Sequence, residues 1–241
     1  MFPLPAKNRI PLWLKVAYTL FMAILLPIYL KRYGPTNFLY FCDVAAIVTL
    51  IAIWLESPPL LSACLVGILL PQLLWVLDFF FEFGNYLGLW NAHLMGMTNY
   101  MFRPPWLLRF LSFFHFWLPF LLLYLVWRVG YDKRGVVIWI VSAWVLLTIC
   151  YVYMPPPSPC VDPVTRQQLR SPDMPANINY VYGLTGEERA QTAMHPDEYF
   201  VLYLVLLPLV IYLPTHLLCW WLMPKVRTKE TVALNPEPRH S

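Results

Sequence analysis

The chain has 241 residues, of which 59% are hydrophobic and only 12% are charged, with a net charge of +4. Soluble domains carry about 25% charged residues, so this composition excludes a water-soluble globular domain and predicts a protein embedded in a membrane. The 17 lysine and arginine residues are scattered, which argues against nucleic-acid binding. No CxxC pair occurs among the five cysteines, so neither a zinc site nor any other metal or cofactor is expected.

Six apolar segments are long enough, or nearly so, to cross about 30 Å of hydrocarbon. In chain order they cover residues 12–30, 38–54, 60–79, 106–127, 136–153 and 200–223. Prolines within them predict kinks, which neighbouring helices accommodate in a membrane: Pro71, Pro119, Pro208 and Pro214. The expected fold is therefore all-α and polytopic, with about six transmembrane helices in one domain over residues 1–223.

Three other parts of the chain have distinct characters. Residues 80–105 are too apolar for an ordinary loop and too broken by glycine for a full span, which predicts an interfacial or re-entrant segment. Residues 154–198 form the one sizeable polar connection, expected on the outer side, and residues 224–241 form a basic tail, expected in the cytoplasm. The N-terminal apolar segment lacks a small-residue cleavage site, so we expect it to be retained as the first helix.

The distribution of basic residues predicts the orientation. With the N-terminus inside, ten lysine and arginine residues fall on the inner side and seven on the outer side, which favours a cytoplasmic N-terminus and C-terminus in a bacterial inner membrane. Aromatic residues near the span ends are typical of interfacial belts. They are Trp13, Tyr29, Trp54, Trp106, Trp127, Tyr153, Trp220 and Trp221.

Polar side chains within the spans gather in the outer leaflet. Asp43, Gln72, Asp78, Arg109 and His115 all fall in the outer halves of the second, third and fourth spans. Ionisable groups are costly in a bilayer, by about 2.5–3.5 kcal/mol on insertion scales, and usually face a partner or a cavity. Further polar residues are expected near them on the outer side: Asn37, Thr98, Tyr100, Asn177 and Asn179. Each could instead serve only to hold helices together.

Several sequence stretches resemble those of an uncharacterised family of bacterial multi-pass inner-membrane proteins. They are GPTNFLYFCDVA (34–45), LLPQLLWVLD (69–78), GMTNYMF (96–102), SFFHFWLP (112–119) and NINYVYG (177–183). This resemblance implies a multi-pass fold and names no activity. A looser, architectural likeness is to six-helix intramembrane hydrolases of the androgen-induced type, which use a threonine and a histidine. Thr98 and His115 would be that pair here, although no local motif matches.

Two functions fit these features. In the first, the protein is an intramembrane enzyme, a hydrolase or lipid-modifying enzyme acting on a lipid or apolar substrate. His115 would be the general acid or base, Asp43 or Asp78 would orient it, and Arg109 would hold an anionic headgroup. The substrate's polar parts would contact the remaining residues of the set: Asn37, Gln72, Thr98, Tyr100, Asn177 and Asn179.

In the second, the protein is not an enzyme but an accessory subunit of a membrane complex, or a small transporter or binder. A transporter could use the same aspartate and histidine set as a proton relay. The partners expected are membrane lipids and, for a subunit, another membrane protein. An outward or lateral cavity lined by Asp43, Gln72, Asp78 and His115 would favour the enzyme, and a filled polar seam would favour the second function.

Overall fold

The computed structural model describes residues 10–159, 167–168, 175–184 and 190–226. Within these residues the structure is built from helices, as the composition predicts. The α-helices are α1 (Leu12–Tyr33), α2 (Phe41–Leu55), α3 (Pro58–Tyr86), α4 (Trp106–Ser112), α5 (Phe114–Val129), α6 (Arg134–Tyr153), α7 (Pro196–Leu207) and α8 (Leu213–Leu222). Residues 227–241 of the predicted basic tail (224–241), Cys160 and several of the counted lysines and arginines lie outside the described residues.

Five of these helical segments are long and apolar enough to cross a membrane: Leu12–Tyr33, Pro58–Tyr86, Trp106–Val129, Arg134–Tyr153 and Pro196–Leu222. They confirm several apolar helices of the kind expected of a multi-pass membrane protein. The predicted second span corresponds to α2, which has 15 residues and so rises only about 22 Å. The count of six crossings therefore stays a prediction.

Helix α3 is the centre of the bundle. It packs against α2, α5 and α6 and also contacts α8. Two prolines open it, at positions where their missing N–H groups cost nothing. Its buried residues continue around the helix from Leu61 to Leu69, as expected of a helix with neighbours on every side. Its other half carries Gln72, Trp75 and Asp78 on one buried stripe, which places polar groups inside the bundle.

The connections between helices define two ends of the bundle. The Asn37 end, as we call it, holds the α1–α2 connection, the end of α3, the start of α4 and the turn at 177–183, whose Asn179 bonds to the start of α2. At the opposite end, Lys15 of α1 forms an ion pair with Glu56 after α2 at 2.6 Å. There, too, Tyr131 bonds through its backbone to Pro224 and Val226, which fixes the end of α8 beside the α5–α6 loop.

The predicted segment 80–105 has a different boundary in the structure. Helix α3 continues through residues 80–86, and only the chain after it leaves the helix. That chain folds back along α3, since Ala92 bonds to Asn85 and Thr98 bonds to Asp78. A short 3-10 turn, Asn99–Phe102, follows. The returning stretch 92–102 is called the return segment below, and its membrane depth stays a prediction.

The helix predicted over 106–127 is interrupted at Phe113, and the sixth predicted span contains a wider, π-type turn at Pro208–Tyr212. At Pro208 the missing N–H removes one helical hydrogen bond, which explains the local widening. Pro71 lies within the uninterrupted helix α3. Of the kinks predicted at prolines, the structure shows a change in helix type at Pro208.

Seven of the eight aromatic residues expected in interfacial belts have exposed side chains. Tyr29 is the exception, being only 4% exposed, and its hydroxyl bonds to Ser112 within the bundle. The belt assignment of Tyr29 is therefore wrong, because hydropathy gives the depth of a residue but not the rotation of its helix. This correction adds a phenol to the polar interior of the Asn37 end.

Close packing of α3 against α6 depends on glycine at the crossing. A Cβ atom on Gly135 would lie 2.7 Å from the Ala63 backbone nitrogen and 2.7 Å from Ser62 Cβ. We expect Gly135→Ala to lower the free energy of unfolding by about 1–3 kcal/mol, because the backbone of α3 would have to move. Thermal unfolding in one detergent measures this, with Val137→Ala on the exposed face of α6 as the control. Equal effects of the two changes would contradict it.

Candidate functional site

Asp78 is the most completely bonded of the predicted site residues. Its side chain is fully buried and accepts four hydrogen bonds, from the backbone N–H groups of Met95, Gly96 and Thr98 and from the Thr98 hydroxyl, at 2.7–2.9 Å. The tight turn that brings these donors together uses a positive φ of 74° at Gly96. Asp78 therefore anchors the return segment to α3, and Thr98 bonds to Asp78 rather than to His115.

A second carboxylate, one turn further along α3, anchors the same segment. Glu82 is buried and lies 2.7 Å from His93 Nδ1, and Asn85 donates to its other oxygen at 3.2 Å. Asn85 also bonds to both backbone groups of Ala92. Sequence analysis missed this cluster. Its signal was the spacing of Asp78 and Glu82, which puts two acidic residues on one face of a helix.

His115 gains its hydrogen bond from the interruption at Phe113. In an unbroken helix the Ser112 carbonyl would accept from the Phe116 N–H, but that N–H bonds to Phe113 instead. The Ser112 carbonyl accepts from His115 Nδ1 at 2.9 Å. A carbonyl can only accept, so Nδ1 carries the proton and Nε2 is the acceptor nitrogen. The His115 ring also lies 5.3 Å from the ring of Trp75, on the polar stripe of α3.

The Ser112 hydroxyl connects this region to α1. It is hydrogen-bonded to the Tyr29 hydroxyl at 2.6 Å, and both groups are buried. Tyr29 also lies within electrostatic range of Asp43 and Tyr100, and its ring packs edge-on against Tyr33 at 5.3 Å. Tyr29 thus lies between the polar residues of α2, α4 and the return segment.

Asp43 and Gln72 are buried but incompletely bonded. Each is 3% exposed. Asn37 donates to Asp43 Oδ2 at 3.0 Å, whereas Asp43 Oδ1 and both polar atoms of the Gln72 amide have no hydrogen-bond partner among the described residues. More than 90% of buried polar groups in proteins have a partner. These three atoms are therefore the chemically exceptional feature of the Asn37 end.

Helix register indicates that Asp43 and Gln72 have nearly the same depth. Thr49 of α2 lies against Cys64 of α3, and the two helices run antiparallel. Asp43 is six residues from Thr49 and Gln72 is eight residues from Cys64, distances of about 9 Å and about 12 Å along the helices. The difference is about 3 Å, so the two side chains share one layer of the bundle.

Arg109 stands at the rim of this layer. Its guanidinium carbon lies 5.0 Å from the centre of the Tyr100 ring, and its Nε donates to the Arg103 carbonyl at 2.9 Å. The terminal nitrogens Nη1 and Nη2 have no bond to another described residue. A half-buried guanidinium held by stacking and one hydrogen bond keeps two donating edges for an anion.

Asn177 and Asn179 use their amides within the chain. Asn177 donates to the Gly183 carbonyl and accepts from the Tyr182 N–H. Asn179 accepts from the Phe41 N–H at 2.9 Å and donates to the Leu39 carbonyl at 2.8 Å. Both have positive φ values, which asparagine tolerates better than most residues. In this conformation they form a turn and attach it to the start of α2.

The structure thus divides the predicted site in two. Asp78, Thr98, Asn177 and Asn179 make bonds that hold the connections in place, whereas Asp43, Gln72 and Arg109 retain unused polar atoms. The predicted bond between His115 and an aspartate is not formed among the described residues. They also contain no group of three or more His, Cys, Asp or Glu side chains that could hold a metal ion.

A recess elsewhere on the bundle is apolar. It lies on the surface of α6 and is lined by Trp144, Val145, Thr148, Ile149 and Tyr153. None of the predicted site residues lines it.

No family model, no curated protein and no solved structure shows significant similarity to this chain. Function therefore has to be inferred from the residues themselves.

Proposed function

We propose that this chain is a multi-pass membrane protein that binds the polar group of a membrane-soluble molecule at Asp43 and Gln72. The observation that supports it is the set of three buried, unpartnered polar atoms on these two side chains. An unpartnered buried donor or acceptor costs about 1–3 kcal/mol. A ligand that supplied donors to Asp43 and a donor and acceptor to Gln72 would recover this cost, which makes the bound state the favourable one.

Molecules retained during purification test the binding function. The protein is purified in detergent, and the small molecules that it carries are extracted and identified by mass spectrometry. We expect a molecule that is retained by the natural chain and by Asp132→Asn at the opposite end, but lost from Gln72→Leu. An identical complement in all three proteins would contradict the proposal.

A second candidate function, intramembrane hydrolysis, is favoured by one observation at His115. The bond to Ser112 fixes its proton on Nδ1, so Nε2 is available as a base. The likeness to androgen-induced-type hydrolases points the same way. Against it, Thr98 Oγ1 already donates to Asp78, so another group or water would have to be the nucleophile.

His115→Gln separates the two functions. Glutamine can still donate to the Ser112 carbonyl, so we expect the free energy of unfolding to change by no more than about 1 kcal/mol. A hydrolase would lose about 10²–10⁴-fold in turnover, because glutamine cannot exchange a proton near neutral pH. Turnover of a fluorogenic lipid ester in detergent measures this. If the folded variant turns over the ester as fast as the natural chain, the hydrolase function is ruled out. It is also ruled out if the natural chain shows no turnover.

We further infer that both termini are cytoplasmic in a bacterial inner membrane and that the Asn37 end faces outward, on the basis of the lysine and arginine bias. Cys160 belongs to the polar connection after α6, whereas the other four cysteines are buried or partly buried. A membrane-impermeant maleimide should therefore label Cys160 in intact spheroplasts. Labelling should disappear in Cys160→Ser. Labelling only after permeabilisation would reverse the orientation.

A further inference from the structure

The Asp43 carboxyl has no ion-pair partner in the part of the chain that the structure describes. Among the described residues, no lysine, arginine or histidine forms an ion pair with this carboxylate, and its one polar contact is the neutral amide of Asn37. Oδ1 is buried without a partner. A carboxylate in a membrane interior is stable only when paired with a positive group or protonated. A positive group that also donates a hydrogen bond would supply both the counter-charge and the partner that Oδ1 lacks.

The unpartnered atoms around Asp43 define that group further. Gln72 offers an acceptor, Oε1, and a donor, Nε2, in the same layer. The Tyr29 hydroxyl lies within electrostatic range of the Asp43 carboxyl. A primary ammonium has three N–H donors and a positive charge, and so offers donors for both Asp43 Oδ1 and Gln72 Oε1. A quaternary ammonium has no N–H and would leave both oxygens unpartnered.

Arg109 supplies a positive charge that could bind the anionic part of the same ligand. It stacks on Tyr100, and Tyr100 lies within electrostatic range of Tyr29, as Asp43 does. Ser112, one turn after Arg109, bonds to Tyr29. Tyr100 and Tyr29 therefore connect the Arg109 guanidinium to the Asp43 carboxyl. A phosphate joined to a primary amine by a short linker would place one charge on each.

We propose that the ligand is a phospholipid whose headgroup carries a primary amine, with its ammonium at Asp43 and Gln72 and its phosphate at Arg109. This assignment rests on the binding function proposed above. The return segment carries Tyr100, on which the Arg109 guanidinium stacks. It is attached to α3 by hydrogen bonds to Asp78, Glu82 and Asn85 and by the packing of Met101 and Phe102. We expect it to move to admit the headgroup while α3 stays helical.

Native mass spectrometry of the purified protein tests the assignment, with three lipids of matched acyl chains. Phosphatidylethanolamine carries the primary amine, phosphatidylcholine a quaternary ammonium and phosphatidylglycerol no amine. We expect phosphatidylethanolamine to bind at least about tenfold more tightly than the other two, as loss of a charged hydrogen bond implies. Soluble glycerophosphoethanolamine, added as a competitor, distinguishes a lipid from a free phosphoamine: competition at equal concentration would overturn the lipid source.

The variants locate the two charges. Asp43→Asn, which can still accept from Asn37, and Gln72→Leu should each remove the preference for phosphatidylethanolamine. Arg109→Gln should weaken all three lipids about equally. Asp132→Asn and Arg134→Gln, a salt-bridged pair at the opposite end, serve as matched controls and should leave the preference intact.

The outcomes also separate this inference from the function on which it rests. Equal binding of the three lipids, or a preference that survives Asp43→Asn, overturns the amine assignment. If the natural chain then still retains some other molecule that Gln72→Leu loses, the binding function stands without the amine. If it retains nothing that Gln72→Leu lacks, both proposals fail.

Discussion

Replacing Gln72 with leucine should stabilise the ligand-free protein, whereas replacing Asn179 with leucine should destabilise it. Both amides are buried, but their bonding is opposite. The Gln72 amide has no hydrogen-bond partner among the residues that the structure describes, so its removal relieves a desolvation cost of about 1–3 kcal/mol. The Asn179 amide bonds to Phe41 and Leu39, and leucine would leave both of those backbone groups unpaired.

Backbone conformation adds to the cost at Asn179. Its φ of 56° lies in the left-handed region, which asparagine tolerates and leucine does not. We expect Asn179→Leu to lower the free energy of unfolding by about 3–5 kcal/mol in total. Thermal unfolding of both variants in the same detergent, without added lipid, measures the pair. A loss of similar size in both would show that the Gln72 amide has a partner, and would remove the support for a ligand site there.

A gain in stability at Gln72 would also have a functional meaning. Binding sites commonly retain polar groups that are unfavourable until the ligand arrives, so stabilising changes there reduce function. The same Gln72→Leu protein should therefore be more stable alone and gain less stability from added ligand. This opposite response is not expected of a polar residue that only packs helices together.

Hydropathy was sufficient to predict the apolar helices, whereas the membrane depth of the polar residues stays a prediction. The predicted spans 12–30 and 136–153 match α1 and α6 closely, because a long apolar run has few other stable conformations in lipid. The buried stripe of Gln72, Trp75 and Asp78 follows from their spacing of three residues. Such patterns are periodic properties of one segment and can be read without knowing its neighbours.

Bonding partners were not predictable in the same way. Asp78 bonds to backbone N–H groups 17–20 residues away, and backbone donors have no signature in a sequence. The interfacial position predicted for Tyr29 fails because the sequence does not give the rotation of its helix. The bond from His115 to Ser112 depends on the helix interruption at Phe113, and no proline or glycine there signals that interruption in the sequence. Which polar atoms remain unpartnered is therefore a property of the packed bundle.

Asp78→Ala should release the return segment while leaving α3 helical. The change removes the acceptor of four hydrogen bonds. Thr98 is fully buried, Met95 is exposed and Gly96 is partly exposed, so water can replace some of these bonds but not those of Thr98. We expect a loss of about 2–4 kcal/mol in the free energy of unfolding. Hydrogen exchange should rise by about 30- to 1000-fold at residues 95–102, as that loss implies, and remain slow in the buried half of α3.

Thr98→Val is the matched control for this change, since it removes one of the four donors and nearly preserves the side-chain volume. It should cost only about 1 kcal/mol and leave the return segment protected. If Asp78→Ala has no larger effect on exchange than Thr98→Val, Asp78 does not anchor the segment. Its buried carboxylate would then be free for the orienting role toward His115 that the sequence suggested. A large difference between the two variants would instead restrict Asp78 to holding the segment that carries Tyr100, and would leave Asp43 as the buried aspartate available to a ligand.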